Sequence, residues 1–189
     1  TNYNLMSDMT SNLTITKAPL TISAIDKSVV YGNSTALTYG LEGTNYNNEV
    51  LIGISRALGD TVGSYEITVS ATDSNYDITL INGTYEITKA TYDMSGVTFN
   101  NGSYVYDSTS HNLGLSGSLP AGVTVTYQNN GQINVGTYTV TAQFSGDTTN
   151  YNLMSDMTSN LTITKASLTI SAIDKSVVYG NSTNLTYGL

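Results

Sequence analysis

Residues Val62–Ile78 read VGSYEITVSATDSNYDI, and Val135–Leu153 read VGTYTVTAQFSGDTTNYNL. Apolar side chains fall at every second position in both: Tyr65, Ile67, Val69 and Ala71, then Tyr138, Val140, Ala142 and Phe144. Successive side chains of a strand point to opposite faces, so each stretch predicts a strand buried on one side. The same period recurs at Leu20, Ile22 and Ala24, at Tyr76, Ile78 and Leu80, and at Val123, Val125 and Tyr127. Asn-Gly pairs at Asn82, Asn101 and Asn130 fall between such runs and predict tight hairpins whose flanking strands pair directly. No stretch repeats apolar residues at i, i+3, i+4 and i+7 for three turns, although TNYNNEVLIGISRAL from Thr44 has room for one short helical turn. The expected class is all-β, built of antiparallel strands.

The two quoted stretches belong to a repeat. Thr1–Leu41 recurs as Thr149–Leu189 with two changes, Pro19 to Ser167 and Ala36 to Asn184, an offset of 148 residues. Within it the tetrad ITKA appears at Ile15–Ala18, Ile87–Ala90 and Ile163–Ala166. VYGNSTALTY from Val30 corresponds to VYDSTSHNLGL from Val105. Two related modules therefore alternate: A over 18–90 and B over 91–166, preceded by the closing hairpin of a truncated B (1–17) and followed by the opening strands of a truncated A (167–189). The chain reads as a soluble excerpt of a longer end-to-end array. Leu13 and Ile15 in the first stub, and Leu168 and Ile170 in the second, carry the inward pattern, so both stubs are expected to pair with an exposed sheet edge.

Composition narrows the function. In 189 residues, Lys plus Arg number 6 and Asp plus Glu 14, a net charge of -8, the wrong sign for nucleic acid or an anionic membrane surface. Only 11% of residues are charged against about a quarter in ordinary proteins. Thr, Ser, Asn, Gly and 15 Tyr take their place, giving a polar but weakly charged surface. With no Cys and one His, thiolate chemistry, disulfides and sulfur-based metal sites are excluded. No apolar run approaches the ~18 residues of a membrane span.

Module A resembles the MBG domain of bacterial surface proteins, in its Tyr-Gly-X form. The matching stretches are LTISAIDKSVVYGN with Tyr31, Gly32 and Asn33, then LTYGLEG, ISRALGDTVGSYEI and NGTYEITKA. Module B is similar to the companion repeat through VYDSTSHNL, GSLPAGVTVTYQNNGQINVGTYTVTAQF and LTITKA. The resemblance implies a large secreted, wall-anchored protein of a Gram-positive bacterium, its anchor and signal peptide lying outside this excerpt. It supplies no catalytic residue. An immunoglobulin-like sandwich is the expected module fold, with a β-grasp-like sheet and short helix as the alternative.

Several residues suggest chemistry and have a plainer reading. His111 with Asp107 and Ser108 or Ser110 has the residue types of a hydrolytic triad, but these sit in one polar loop whose module A counterpart has no His, and a solvated loop is preferred. Asp73 with Asp77, and Asp147 with Asp156, could gather calcium, yet none has the alternating acidic spacing of a calcium loop. Lys27 and Lys175 recur in AIDKSVVYG as candidates for a Lys-to-Asn isopeptide crosslink, and strand-end lysines reaching water explain them more simply. Asn12, Asn33, Asn82, Asn101, Asn160, Asn181 and Asn184 head Asn-x-Ser/Thr triplets that this composition produces readily. No catalytic, cofactor-binding or metal-binding residue is assigned, and no cofactor is expected. The expected role is a non-enzymatic stalk whose partners are adjacent modules of the same chain. The alternative is a repeat adhesin whose modules bind host glycoprotein or glycan, or neighbouring copies.

Overall fold

The computed structural model describes residues 2–4, 6–43, 46 and 49–188. Its strands are β1 (Ala18–Ala24), β2 (Lys27–Val30), β3 (Tyr39–Gly43), β4 (Leu51–Arg56), β5 (Gly63–Thr72), β6 (Tyr76–Ile81), β7 (Gly83–Thr88), β8 (Thr98–Phe99), β9 (Gly102–Val105), β10 (Leu115–Ser116), β11 (Thr124–Gln128), β12 (Gly136–Ser145), β13 (Met157–Thr164), β14 (Ser171–Ala172) and β15 (Tyr187–Gly188). There is no helix among the described residues. The helical turn expected near Thr44 is in part strand β4; residues 44, 45, 47 and 48 lie outside the described residues. The chain forms two compact units, Thr1–Thr91 with Thr148–Asn152, and Tyr92–Asp147 with Leu153–Leu189.

In the first unit a four-stranded sheet runs β2-β7-β5-β4 and a three-stranded sheet runs β3-β1-β6. Leu20 and Ile22 of β1 pack with Val69 of β5, Tyr76 of β6 and Val50, while Ile67 of β5 packs with Tyr85 and Ile87 of β7. The inward set on β5 is the one its period-two pattern predicts. On β6 the pattern holds for Tyr76 and Ile78 but not for Leu80, which is exposed near the end of an edge strand.

The second unit repeats the plan. Its four-stranded sheet runs β9-β13-β12-β11, with β10-β8 as the other sheet, and Leu113, Val140 and Leu161 pack with Phe99, Tyr104, Tyr127 and Tyr138. Even the register repeats: Gly63 pairs with Ile87 and Gly136 with Ile163, while Val29 lies opposite Ile87 and Tyr104 opposite Ile163. Each unit thus contains a two-sheet β sandwich, and the β-grasp alternative is set aside, since the apolar faces are covered by a second sheet and not by a helix.

The Asn-Gly expectation needs correction. Only Asn130 lies in a connection between directly paired strands, β11 and β12, and that loop is longer than a two-residue turn. Asn82 and Asn101 stand where the chain leaves one sheet for the other, from β6 to β7 and from β8 to β9. Their side chains replace the backbone acceptor lost at the switch: Asn82 Oδ1 accepts the Val69 N–H at 3.4 Å, and Asn101 Oδ1 accepts the Asn160 N–H at 2.8 Å and the Ser159 hydroxyl at 2.9 Å. The glycines that follow serve close approach. A Cβ on Gly83 would lie 3.0 Å from the Ala24 Cβ, and one on Gly102 would lie 2.5 Å from Leu113 Cδ2.

The stubs differ from expectation too. Residues 2–4 and 6–17 form no strand, and Leu13 and Ile15 are exposed. The copy of this segment shows why: Met157–Thr164 sits between β12 and β9, and among the described residues no strand pairs with residues 9–16. In that copy the segment supplies one strand, β13, and not a hairpin. Among the described residues the other stub pairs only with itself, Ser171 with Gly188 and Ala172 with Tyr187.

Candidate functional site

The Tyr-Gly-Asn turn at one end of the first unit frames a cleft. Val30 accepts the Asn33 N–H at 3.0 Å, closing a turn that needs φ +86° at Gly32, a value at which a side chain is strained. Tyr31 is held by its own N–H, which donates to the Thr88 carbonyl at 2.8 Å. Beneath the turn Tyr85, buried on β7, accepts the Thr35 N–H on its hydroxyl at 3.3 Å. The resulting cleft, about 380 Å³, is lined by Tyr31, Asn33, Thr35, Arg56, Asp60 and Tyr85 among others.

Arg56, the sole arginine in the sequence, dominates its electrostatics. Its guanidinium lies 4.9 Å from the Tyr85 ring centroid and 5.6 Å from that of Tyr65, and it pairs with Asp60 at 2.7 Å. Cation–π attraction to two ring faces favours this placement of the guanidinium, whereas the exposed ion pair adds little on its own. Gly59 is required beside it, because a Cβ there would lie 2.1 Å from the Tyr65 ring. By strand register the corresponding position of the second unit, the residue after Gln128, is Asn129. The cleft is therefore a departure from the repeat. The sequence signal for it is only the single arginine; its two rings, Tyr65 and Tyr85, are a directly paired couple on β5 and β7.

The first unit also contains residues 148–152, which close its other contacts at this end. Asn150 Oδ1 accepts the Val62 N–H at 2.9 Å, the Asn150 carbonyl accepts the Ala90 N–H at 3.0 Å, and the Asn152 N–H donates to the Ala90 carbonyl at 2.9 Å. The Tyr151 ring meets Tyr31 edge-on, with centroids 5.5 Å apart and planes at 75°, in the offset geometry that aromatic quadrupoles favour. Lys89 donates through Nζ to the Thr148 carbonyl. Asn150 is buried, at 8% exposure, so its amide bond is made away from water.

In the second unit the corresponding turn is built differently. Asp107 occupies the place of Gly32, and its Oδ1 accepts the Thr109 hydroxyl at 2.7 Å, the Thr109 N–H at 2.9 Å and His111 Nε2 at 3.0 Å. The Thr109 hydroxyl, then the Thr109 N–H and His111, hold this carboxyl below the ordinary aspartate range. His111 stacks on Tyr104 at 4.3 Å. The structure thus brings together His111 and Asp107 of the suggested triad but not a nucleophile: the Ser108 hydroxyl donates to the Tyr106 hydroxyl at 3.3 Å, and no hydrogen bond joins Ser108 or Ser110 to His111 among the described residues.

The other candidates separate likewise. Asp73 caps its own turn by accepting the Asn75 N–H at 2.7 Å, while Asp77 lies on β6 opposite Pro19. Asp156 accepts from Gln143 at 3.3 Å. No group of three or more His, Cys, Asp or Glu side chains that could hold a metal occurs among the described residues. Lys27 is half-buried on β2 opposite Tyr85, and Lys175 is exposed. No helix among the described residues is long and apolar enough to cross a membrane.

These features define a class, the small two-sheet β module with a Tyr-Gly-X turn at one end. Residues 20–86 match the family model of the MBG domain (YGX type). No curated protein is significantly similar to the chain. The crystal structure of Drosophila N-cadherin EC1-3 aligns over 78% of this chain and 68% of its own, at 10% identity and a TM-score of 0.28, below the level of a shared overall fold.

Proposed function

We propose that the chain is a non-enzymatic spacer segment of a bacterial surface protein, in which β-sandwich modules follow one another and hold another region away from the cell. In this reading 18–90 and 91–166 are whole modules and 1–17 and 167–189 belong to their neighbours. The carrying observation is that both modules use the same strand order and register with almost no linker: β7 ends at Thr88, and Ala90 already pairs, with Tyr151. Short junctions restrict bending, and neighbouring repeats that share contacts gain stability neither has alone. The resemblance adds a secreted, wall-anchored setting in a Gram-positive organism, and a surface rich in amides and hydroxyls suits it.

Small-angle scattering on chains of one, two and three repeats tests this. The maximum dimension should grow linearly with repeat number; growth with a square-root dependence, as for a flexible string, or collapse to a compact particle, would reject the spacer. The cleft at Arg56 favours a second reading, an adhesin that takes a glycan or glycoprotein there, because it is where module A departs from module B. Binding on a glycan or matrix array that is lost in Arg56→Ala would establish it over the spacer.

A further inference from the structure

The contact made by Asn150 has an unfilled twin. Val62 and Val135 each precede the glycine that opens a long strand, β5 or β12. Tyr31 and Tyr106 each donate their N–H to the last residue of the central strand, Thr88 or Thr164, at 2.8 and 2.9 Å. Asn75 and Asn150 each offer their carbonyl to the alanine of an ITKA tetrad, Ala18 or Ala90, at 2.9 and 3.0 Å. Every part of the seat that holds Asn150 therefore has an equivalent in module B, and Asn150 itself has an equivalent in module A.

Those equivalents are open. The Val135 N–H has no hydrogen bond among the described residues, and the Val135 side chain, Tyr106, Val105 and Ile133 leave an exposed apolar end around it. Asn75 is exposed, and its side-chain amide has no partner among the described residues, although its backbone is held on both sides by Asp73 and Ala18. An unmet donor in an apolar rim and an unmet acceptor on a preset backbone reproduce the two halves of a pair already seen. After Ala166 the sequence restarts module A with two changes, so the module that would bring an Asn75 to this place is specified.

We propose that the Val135–Tyr106 end of module B is the seat for the Asn75 side chain of the A-type module that follows it, its Oδ1 accepting the Val135 N–H as Asn150 Oδ1 accepts that of Val62. This rests on the repeat reading above. It makes each junction an amide-to-backbone latch, alternating in partner but not in chemistry.

Amide hydrogen exchange, residue by residue, tests it on two chains: residues 1–189, and a lengthened chain in which 167–189 is completed to a full module by residues 42–90. The Val62 amide should be slow in both. The Val135 amide should be fast in the first and about five- to tenfold slower in the second, the worth of one net hydrogen bond. Asn75→Ala in the added module should return Val135 to its fast rate, and Asn150→Ala should do the same to Val62. Equal Val135 rates in the two chains, or a Val62 rate indifferent to Asn150→Ala, would overturn the latch even where scattering finds the lengthened chain extended. A protected Val135 in a chain that scatters as a compact particle would keep the latch and remove the spacer.

Discussion

Thr1–Ala18 and Thr149–Ala166 are the same eighteen residues, yet Met157–Thr164 is the central strand β13 whereas residues 9–16 form none. Leu161 is 0% exposed and Leu13, its copy, 89%; Ile163 is 1% exposed and Ile15 88%. The difference is the neighbours. β13 lies antiparallel to β12 and parallel to β9, so its backbone donors and acceptors are met on both edges and its apolar face is covered. A strand holds its conformation through cross-strand partners, and an alternating sequence alone supplies only the face it would bury.

The copies at the other end grade this lesson. Gly180 keeps the φ of Gly32, +89° against +86°, and Asn181 donates to Val178 as Asn33 does to Val30. Ser171 pairs with Gly188 and Ala172 with Tyr187, the register of Ser23 with Gly40 and Ala24 with Tyr39. But Leu168 is 72% exposed where Leu20 is 1%, and among the described residues no strand equivalent to β2 forms, since no counterpart of its partner β7 lies beside it. The four-residue turn persists, the hairpin persists in part, and the strand that depends on a distant partner is lost.

The sharpest way to break this contrast is truncation of the same leucine twice. Leu161→Ala should destabilise the second unit by about 2–5 kcal/mol, the cost of a cavity in a packed core. Leu13→Ala should change urea unfolding by less than about 0.5 kcal/mol. Comparable losses from the two substitutions would mean that residues 9–16 are packed in solution.

A smaller effect sharpens it at the edge of β13. Asn101→Ala removes the acceptor of the Asn160 N–H, while the Ser159 hydroxyl keeps the Phe99 carbonyl at 3.2 Å. The expected cost is about 1–2 kcal/mol in thermal or urea unfolding. Asn82→Ala in the first unit should cost less, since its bond to the Val69 N–H is long at 3.4 Å. The reverse order would show that these side chains do not stand in for the sheet's missing acceptor.

What the sequence made legible follows the same gradient. The inward set Tyr65, Ile67, Val69 and Ala71 could be read because strand periodicity is written within ten residues. Sheet membership could not: Asn82-Gly83 and Asn101-Gly102 have the letters of a hairpin turn, but the reason for each glycine is an atom of Ala24 or Leu113 on another strand. His111 and Asp107, four residues apart in one turn, do meet. Arg56 gains meaning only beside Tyr65 and Tyr85, and Asn150 only beside Val62, 88 residues away in sequence. The repeated Asn-Tyr after each long strand was visible, but nothing local said what its amide would hold.

The smallest predicted effect separates the two versions of the turn. In module A, and in its copy at Gly180, the turn rests on glycine with positive φ and nothing within 4 Å of the missing Cβ, so protonation has no handle on it. In module B it rests on the Asp107 carboxylate. Because Thr109 and His111 lower the folded-state pKa of Asp107, its contribution is fully present above the ordinary aspartate value of about 3.9 and is lost as pH falls through the lowered value. Acid titration followed by NMR should therefore shift the Thr109 amide below that ordinary value while the Asn33 and Asn181 amides stay in place. Asp107→Asn should abolish the Thr109 transition. A Thr109 amide that titrates at the ordinary value, or together with Asn33, would mean that the two turns are held by the same local conformation and that the carboxylate adds nothing to its own.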